Sequence, residues 1–369
     1  MIYYTKQEVD GDRVEKTINT TRNKGGKIRT LLLHFFLVLL VTLLMVLLFL
    51  AGTLFLFSRG PSDTARNLFV MSVRETSAIG FLADIFLSDE EIAAIEAGRG
   101  AENLDVTDAS LVDIKRSGSS GRPAADEWGY VDEDMDGIIV VPVAGESYVG
   151  NMMIVLDPSR VALGCVPESL GTQGYTVAEY AEIFDAVAAI NGGGFEDLNG
   201  QGDGSMPNSL VVVDGEICCG GKGVGPGFVG IDKDYILHVG FTSAEEVEKL
   251  NIMHGTGYGP VLVVNGEPVD DEALVSGLNP RTAIGQRSDG AILMLVIDGR
   301  QATSLGATYA DEAELMLEFG AVNACNLDGG SSSLMWYEGE YINNCASVIG
   351  IRDIPTSFVV LREGAKRDD

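Results

Sequence analysis

Positive charge is scarce: the 369-residue chain has 25 Lys and Arg against 54 Asp and Glu, a formal net charge of −29. So acidic a balance argues against a nucleic-acid partner, because phosphate backbones need neutralising by Lys and Arg. The deficit is uneven. Residues 1–57 hold seven basic and four acidic side chains, so residues 58–369 carry 18 − 50 = −32. Histidine is scarcer still, with three in the chain. Outside the apolar N-terminal run only His238 and His254 remain, and no G-x-S-x-G elbow opens a helix, which argues against a nucleophilic triad. The five cysteines, Cys165, Cys218, Cys219, Cys325 and Cys345, are odd in number and lack C-x-x-C or Cys/His zinc spacing. Cys325 with Cys345 is the disulfide to test first; five buried thiols are the other reading. Proline is rare, 11 residues against 46 glycines, among long β-branched runs, which excludes whole-chain disorder.

Leu31 to Phe57 has no ionised side chain, and His34, Thr42 and Thr53 are its clearly polar members. At ~1.5 Å per residue it spans ~40 Å, more than the ~30 Å hydrocarbon core, and it exceeds the ~7–15 residues of a secretion-signal core. Arg22, Lys24, Lys27 and Arg29 precede it, whereas Arg59 and Arg66 follow. Positive-inside bias therefore predicts a single-pass anchor with a cytoplasmic N-terminus and an extracellular main domain.

Beyond the run, short helices are expected over 58–98, with Ser88 and Glu91 at capping-box spacing. Arg99 to Asp136 reads as a flexible acidic spacer. Within it Asp132, Asp134, Asp136 and Gly137 begin like a calcium loop, but Val143 stands where a bidentate Glu is required, so an ordinary acidic turn is expected. From Gly137 strands and turns take over: Ile138–Val143, Asn151–Leu156 and Val161–Val166 read as strands, and Asp214-Gly215 and Asn265-Gly266 as hairpin turns. Thr176 with Glu179 and Thr308 with Asp311 open helices, the second between strands Ala291–Ile297 and Ala321–Leu327 in a β-α-β pattern. The expected fold class is mixed α+β, one globular domain with a central β-sheet flanked by helices. The segments are 1–30 basic and cytoplasmic, 31–57 transmembrane, 58–136 helices and spacer, 137–363 domain, and 364–369 tail.

Chemistry concentrates in four Gly-rich polar corners, each ending a predicted strand: Asn191–Phe195, Asn279–Gly285, Asp298–Arg300 and Asn326–Ser333. Ligands collect at strand ends in open α/β sheets. Asp298 and Asp328 can act as acid, base or nucleophile, and Arg281 and Arg300 can grip an anion. The backbone N–H groups of Gly329, Gly330 and Ser331 are candidates for an anion nest. Gly255, Gly257 and Gly259 precede a strand rather than open a helix, so they are not a dinucleotide fingerprint.

At these corners the chain resembles the phosphodiester glycosidase family, in that family's order: Ile190–Phe195 (INGGGF), Gly259–Gly266 (GPVLVVNG), Asn279–Gly285 (NPRTAIG), Val296–Arg300 (VIDGR) and Leu327–Ser333 (LDGGSSS). Arg352, Ile354 and Pro355 look like its closing R-x-I-P segment, and the resemblance covers about 137–360. The anchor and spacer are similar to bacterial, Gram-positive-type members. The resemblance implies hydrolysis of a sugar-1-phosphodiester in a phosphate-containing glycan, with Asp328 and Asp298 catalytic. It implies substrate binding by Asn191, Gly192, Gly193, Asn279, Arg281, Arg300, Asn326, Gly329, Gly330, Ser331 and Ser332, with no metal or cofactor. A non-catalytic surface protein that binds or assembles such a glycan is the alternative, and a sugar-phosphate transferase a third reading.

Overall fold

The computed structural model describes residues 11–76, 79–96, 105–114, 125–197, 202–220, 227–240, 243–270, 274–347 and 350–363, with side chains of 11–28 and of residue 96 outside the description. The chain divides into two compact units, Met1–Pro61 and Ser62–Asp369. The first is helix α1 (Gly11–Arg59). Its Arg29–Arg59 portion is the one helix among the described residues long and apolar enough to cross a membrane, and none of its most apolar stretch is buried.

The second unit begins with α2 (Asp63–Arg74), α3 (Phe81–Asp84) and α4 (Asp89–Glu96). Val70, Val73, Ala83, Leu87 and Ile92 close these three helices around a small core. The first strands are β1 (Ile138–Ala144), β2 (Val149–Val155), β3 (Val161–Gly164), β4 (Ala186–Asn191), β5 (Val211–Val213) and β6 (Glu216–Cys219). Then follow β7 (Phe228–Asp232), β8 (Leu237–Gly240), β9 (Ile252–Gly257), β10 (Val261–Val264), β11 (Glu267–Pro268) and β12 (Arg281–Arg287). The last are β13 (Ile292–Ile297), β14 (Ala321–Asn326), β15 (Met335–Tyr337), β16 (Glu340–Tyr341) and β17 (Ser357–Leu361). Three further helices cover the strands: α5 (Val177–Ile183), α6 (Ala244–Leu250) and α7 (Tyr309–Glu318).

The mixed α+β class is as expected, with the strands shared among three sheets. Their orders are β1-β2-β13-β12-β14-β10-β11, β16-β15-β4-β17-β3 and β6-β5-β9-β7-β8. One core, including Met153, Ile190, Val229, Ile284, Val296 and Phe358, lies among all three. The other face of the seven-stranded sheet packs on α7 through Ile154, Ala283, Leu293, Leu295 and Met316. Being covered on both faces, β13 is a continuous apolar run, Ile292–Ile297, with every residue buried. The expected β-α-β unit is split: β13 and β14 both pair antiparallel with β12, so they run parallel with β12 inserted between them.

Local signals behave as their chemistry requires. Thr176, Thr308 and Ser88 form reciprocal capping boxes with Glu179, Asp311 and Glu91. Asp214-Gly215 and Asn265-Gly266 adopt paired positive φ, 49°/80° and 54°/84°, between the strands they join. Asp132 accepts the N–H groups of Met135 and Gly137, making the acidic turn. All five cysteines are free. The Cys325–Cys345 pair does not form: Cys325 Sγ faces the Pro260 carbonyl at 3.5 Å, and Cys345 Sγ the Ser331 carbonyl at 3.9 Å.

The flexible spacer needs correcting. Residues 97–104 and 115–124 lie outside the described residues, but 105–114 and 125–136 are docked. Asp113 N donates to Ser288 O at 2.7 Å, and Asp108 N to Asn265 Oδ1 at 2.8 Å. The physical reason is Arg287, which has no exposed surface. Its guanidinium takes Asp126 at 2.7 Å, pairs closely with Asp289, and lies 3.9 Å from the Trp128 ring centre. A buried cation must be matched, and the acidic stretch supplies half of the match. Asp126→Ala should therefore destabilise the fold by about 3 kcal/mol or more, the typical cost of breaking a buried pair from one side. A chemical-denaturation midpoint equal to the parent's would show that the stretch is not structural.

Candidate active site

Sheet register gathers the corners. Arg281 opens β12 opposite Ile297, so Asp298 follows at the same end of the sheet, and Asn326 closes β14 opposite Ala283. Asn191 closes β4 of the neighbouring sheet and joins the two. Its Oδ1 accepts from Thr282 Oγ1 at 2.8 Å and Leu334 N at 3.2 Å, while its Nδ2 donates to the Asp328 carbonyl at 2.6 Å. Asp328 N donates in turn to the Gly192 carbonyl at 3.1 Å. The backbone of Asp328 is thus clamped from both sides.

Several expected substrate ligands make hydrogen bonds within the protein. Gly192 N and Gly193 N donate to the carbonyl and hydroxyl of Thr356, each at 3.0 Å. A Cβ on Gly192 would stand 2.8 Å from the Thr356 carbonyl oxygen, and one on Gly193 would overlap Thr256 Oγ1. Asn326 Nδ2 donates to the Gly259 carbonyl at 2.6 Å. In the expected anion nest, Gly329 N donates to Asp328 Oδ1 at 3.0 Å and Gly330 N to the Pro280 carbonyl at 2.9 Å. Those two N–H groups hold the turn and so are taken out of the expected nest. Asp298 is also withdrawn from the cluster. Its Oδ1 accepts from Asn343 Nδ2 and Asn344 N, both at 3.0 Å, and its Oδ2 from Asn344 Nδ2 at 2.9 Å. Three donors tie this carboxylate to the loop after β16.

Asn279, Arg281, Arg300 and the Asp328–Ser332 turn do converge. Arg281, 3% exposed, donates Nε to Ala307 O at 3.0 Å and Nη2 to Gly277 O at 2.7 Å. Its Nη2 also meets Glu75 Oε2 at 2.9 Å, and its guanidinium carbon lies 4.1 Å from the Tyr309 ring centre. Burial alone would lower its pKa; Tyr309 and Glu75 outweigh this and hold it above the usual arginine value. Arg300 has positive φ (57°) and donates Nε and Nη2 to Asn279 Oδ1 at 3.3 and 3.0 Å. The residue is exposed in area, yet its guanidinium tip lies over Gly330, close to Asp328. Desolvation of that tip and then the Arg281 charge pull its pKa down, while Glu75, Tyr258 and Asp328 oppose them.

Burial pushes the Asp328 carboxyl up to about 6; a hydrogen bond from Ser332, the Arg352 charge and the Gly329 N–H favour the ionised form, and Asp197 opposes it. Arg352 donates Nη1 to Asp197 Oδ2 at 2.7 Å and Nη2 to the Gly202 carbonyl at 3.1 Å, with its guanidinium 5.0 Å from the Phe195 ring centre. Tyr258 also faces this cluster, and burial and then Asp328 raise its pKa, leaving a neutral phenol. Sequence reasoning placed Arg352 in a motif without giving it a role, and passed over Tyr258, Asp197 and Glu75. The cluster thus holds two guanidiniums beside a carboxyl whose pKa is raised to about 6.

Residues 184–361 match the phosphodiester glycosidase family. N-acetylglucosamine-1-phosphodiester alpha-N-acetylglucosaminidase of Mus musculus is 27% identical over 217 residues, 53% of this chain and 41% of that protein. The matched segment, just under half of the chain, is similar to the phosphodiester glycosidase family. A second relative, the SPbeta prophage-derived uncharacterized protein YomE of Bacillus subtilis, is 49% identical over 71 residues, 19% of this chain and 11% of that one. The chain thus spans less than half the length of either relative. The fold is shared with the catalytic domain of the zebrafish N-acetylglucosamine-1-phosphodiester alpha-N-acetylglucosaminidase, auto-inhibited by its pro-peptide. The TM-score is 0.55 at 19% identity, over 68% of this chain and 87% of that one.

The environment of Asp328 makes a signed prediction. Arg352→Ala removes a positive charge that favours the carboxylate, so the Asp328 midpoint, read by carbon NMR of its carboxyl, should rise above the parent's value of about 6. A lower or unchanged midpoint would contradict the electrostatic link.

Proposed function

We propose that this chain is a membrane-anchored hydrolase of sugar-1-phosphodiesters, with α1 as the anchor and the second unit on the extracellular side. A single observation carries the chemistry: a carboxyl with a pKa of about 6, Asp328, shares a cluster with Arg281 and Arg300. The scissile bond joins an anomeric carbon to a phosphate oxygen. Water attacks that carbon, Asp328 takes the water's proton, and the C–O electron pair leaves on the phosphate monoester. A phosphate monoester is a good leaving group, so charge neutralisation matters more than protonation of the departing oxygen. The two guanidiniums supply it. A base with a pKa near the working pH combines ionisation with useful proton affinity. Asp298, tied to Asn343 and Asn344, is assigned the role of fixing the wall of the site.

The family match over residues 184–361 supports the reaction class, and the curated relatives act on N-acetylglucosamine-1-phosphodiester by name. The full-length chain in detergent should therefore split a methanol diester of N-acetylglucosamine 1-phosphate. In ¹⁸O water the label should enter the sugar and not methyl phosphate. Asp328→Asn should lower kcat by roughly 100-fold or more, in the range of general acid–base contributions, while ligand affinity is nearly kept. Label in the phosphate would make the enzyme a phosphoryl-transfer catalyst. Ligand binding without turnover by the parent would favour the glycan-binding reading.

A further inference from the structure

The anion clamp includes one residue from outside the strand-end corners. Glu75 caps the C-terminal end of α2, sixteen positions after the last residue of α1. Its Oε2 accepts from Arg281 Nη2 at 2.9 Å and Asn279 Nδ2 at 2.7 Å, and its Oε1 from Gly277 N at 3.4 Å. The contact is built rather than casual. Ser72 Oγ accepts from Leu278 N at 2.9 Å, and a side chain at Gly277 would collide with the Ser72 backbone, so glycine there admits the helix. The carboxylate is about nine-tenths buried.

We infer that Glu75 is a positioning residue of the anion clamp: it fixes Arg281 directly, and Arg300 through Asn279. The relay follows from amide chemistry. An Asn side chain that donates Nδ2 to a carboxylate must turn Oδ1 the other way, and Asn279 Oδ1 is the acceptor for Arg300 Nε and Nη2. Without Glu75 the amide loses its one acceptor for Nδ2 among the described residues. Its Oδ1 is then held toward Arg300 only by Arg300 itself and a long Thr76 Oγ1 contact at 3.5 Å. A flip would set NH₂ against a guanidinium, a donor facing a donor. Arg281 and Arg300 also repel each other, and a fixed negative charge between their partners offsets that repulsion. Glu312, whose charge also favours the Arg281 cation, makes no hydrogen bond to it among the described residues. It is fully buried on α7, neither carboxylate oxygen has a hydrogen-bond partner among the described residues, and burial favours its neutral form. Among the described residues, the side-chain hydrogen bonds of Arg281 and Arg300 fall on Nε and Nη2. The clamp is therefore preset without using either Nη1, the nitrogens left for a phosphate.

The inference rests on the sugar-1-phosphodiester reading for its ligand, so its test reads phosphate binding separately from turnover. Calorimetric titration of the full chain in detergent with methyl phosphate should show Glu75→Gln weakening binding by about tenfold, a typical scale for losing one charge-assisted contact. With the methanol diester of N-acetylglucosamine 1-phosphate, KM should rise by a similar factor while kcat changes less, and Glu75→Asp should recover part of the loss. Asn279→Ala, which leaves the Glu75–Arg281 pair in place, should weaken methyl phosphate too. The double variant should lose less than the product of the two single effects, because both act through Arg300. Should Glu75→Gln fail to fold, Asn279→Ala carries the test, and unchanged binding in it overturns the relay. Tighter binding and higher kcat/KM in Glu75→Gln would make Glu75 a blocking group and overturn the inference, as would unchanged binding or a parent that binds no methyl phosphate. Weaker methyl phosphate binding in Glu75→Gln, with a parent that does not cleave the diester, would uphold the clamp and refute only the hydrolase reading.

Discussion

A guanidinium cannot be buried alone, and this constraint organises the second unit. Removing such a cation from water costs several kcal/mol unless opposing charge and hydrogen bonds surround it. Arg160 is satisfied by the backbone carbonyls of Leu361 and Asp136, and three other well-covered arginines each take a carboxylate. Arg287 takes Asp126 and Asp289, Arg281 takes Glu75, and Arg352 takes Asp197. Asp126 and Glu75 come from the segment before the first strand. That segment is consequently part of the fold wherever it is described, and its acidity is structural as well as solvating.

The same matching separates scaffold from chemistry. Asn191, Gly192, Gly193 and Asn326 are held in hydrogen bonds that join two sheets and grip the backbone of residue 328. Their amides and glycines permit close approach. On the proposed reading, a small set meets the ligand: the Arg281–Arg300 pair, the Tyr258 phenol and the Asp328 carboxyl with Ser332 beside it. Arg352 stands behind Asp328 and keeps the effect of burial from raising its pKa further.

Much of this was legible in the sequence, for identifiable reasons. Capping boxes and Asp-Gly or Asn-Gly turns act over three or four residues, so Thr176, Thr308 and Asn265 announced their elements. The strand-end corners were legible because glycine and polar residues interrupt apolar runs there. What sequence did not give was direction. Asp298 and Asp328 look alike as D-G dipeptides, yet one faces the Asn343–Asn344 loop and the other the arginines. Nor does spacing reveal that Glu75 meets Arg281 across 206 positions, since only tertiary packing brings α2 to β12. The acidic stretch misled because composition reports average solvation, whereas one buried Arg287 decides where Asp126 goes.

The central claim is that a phosphate occupies the Arg281–Arg300 clamp with the anomeric carbon beside Asp328. A crystal structure of the Asp328→Asn variant holding the methanol diester of N-acetylglucosamine 1-phosphate tests it most directly. The account predicts phosphate oxygens within hydrogen-bonding distance of both guanidiniums and residue 328 in van der Waals contact with the anomeric carbon. A phosphate bound instead at Arg352, or a sugar turned away from residue 328, would contradict it.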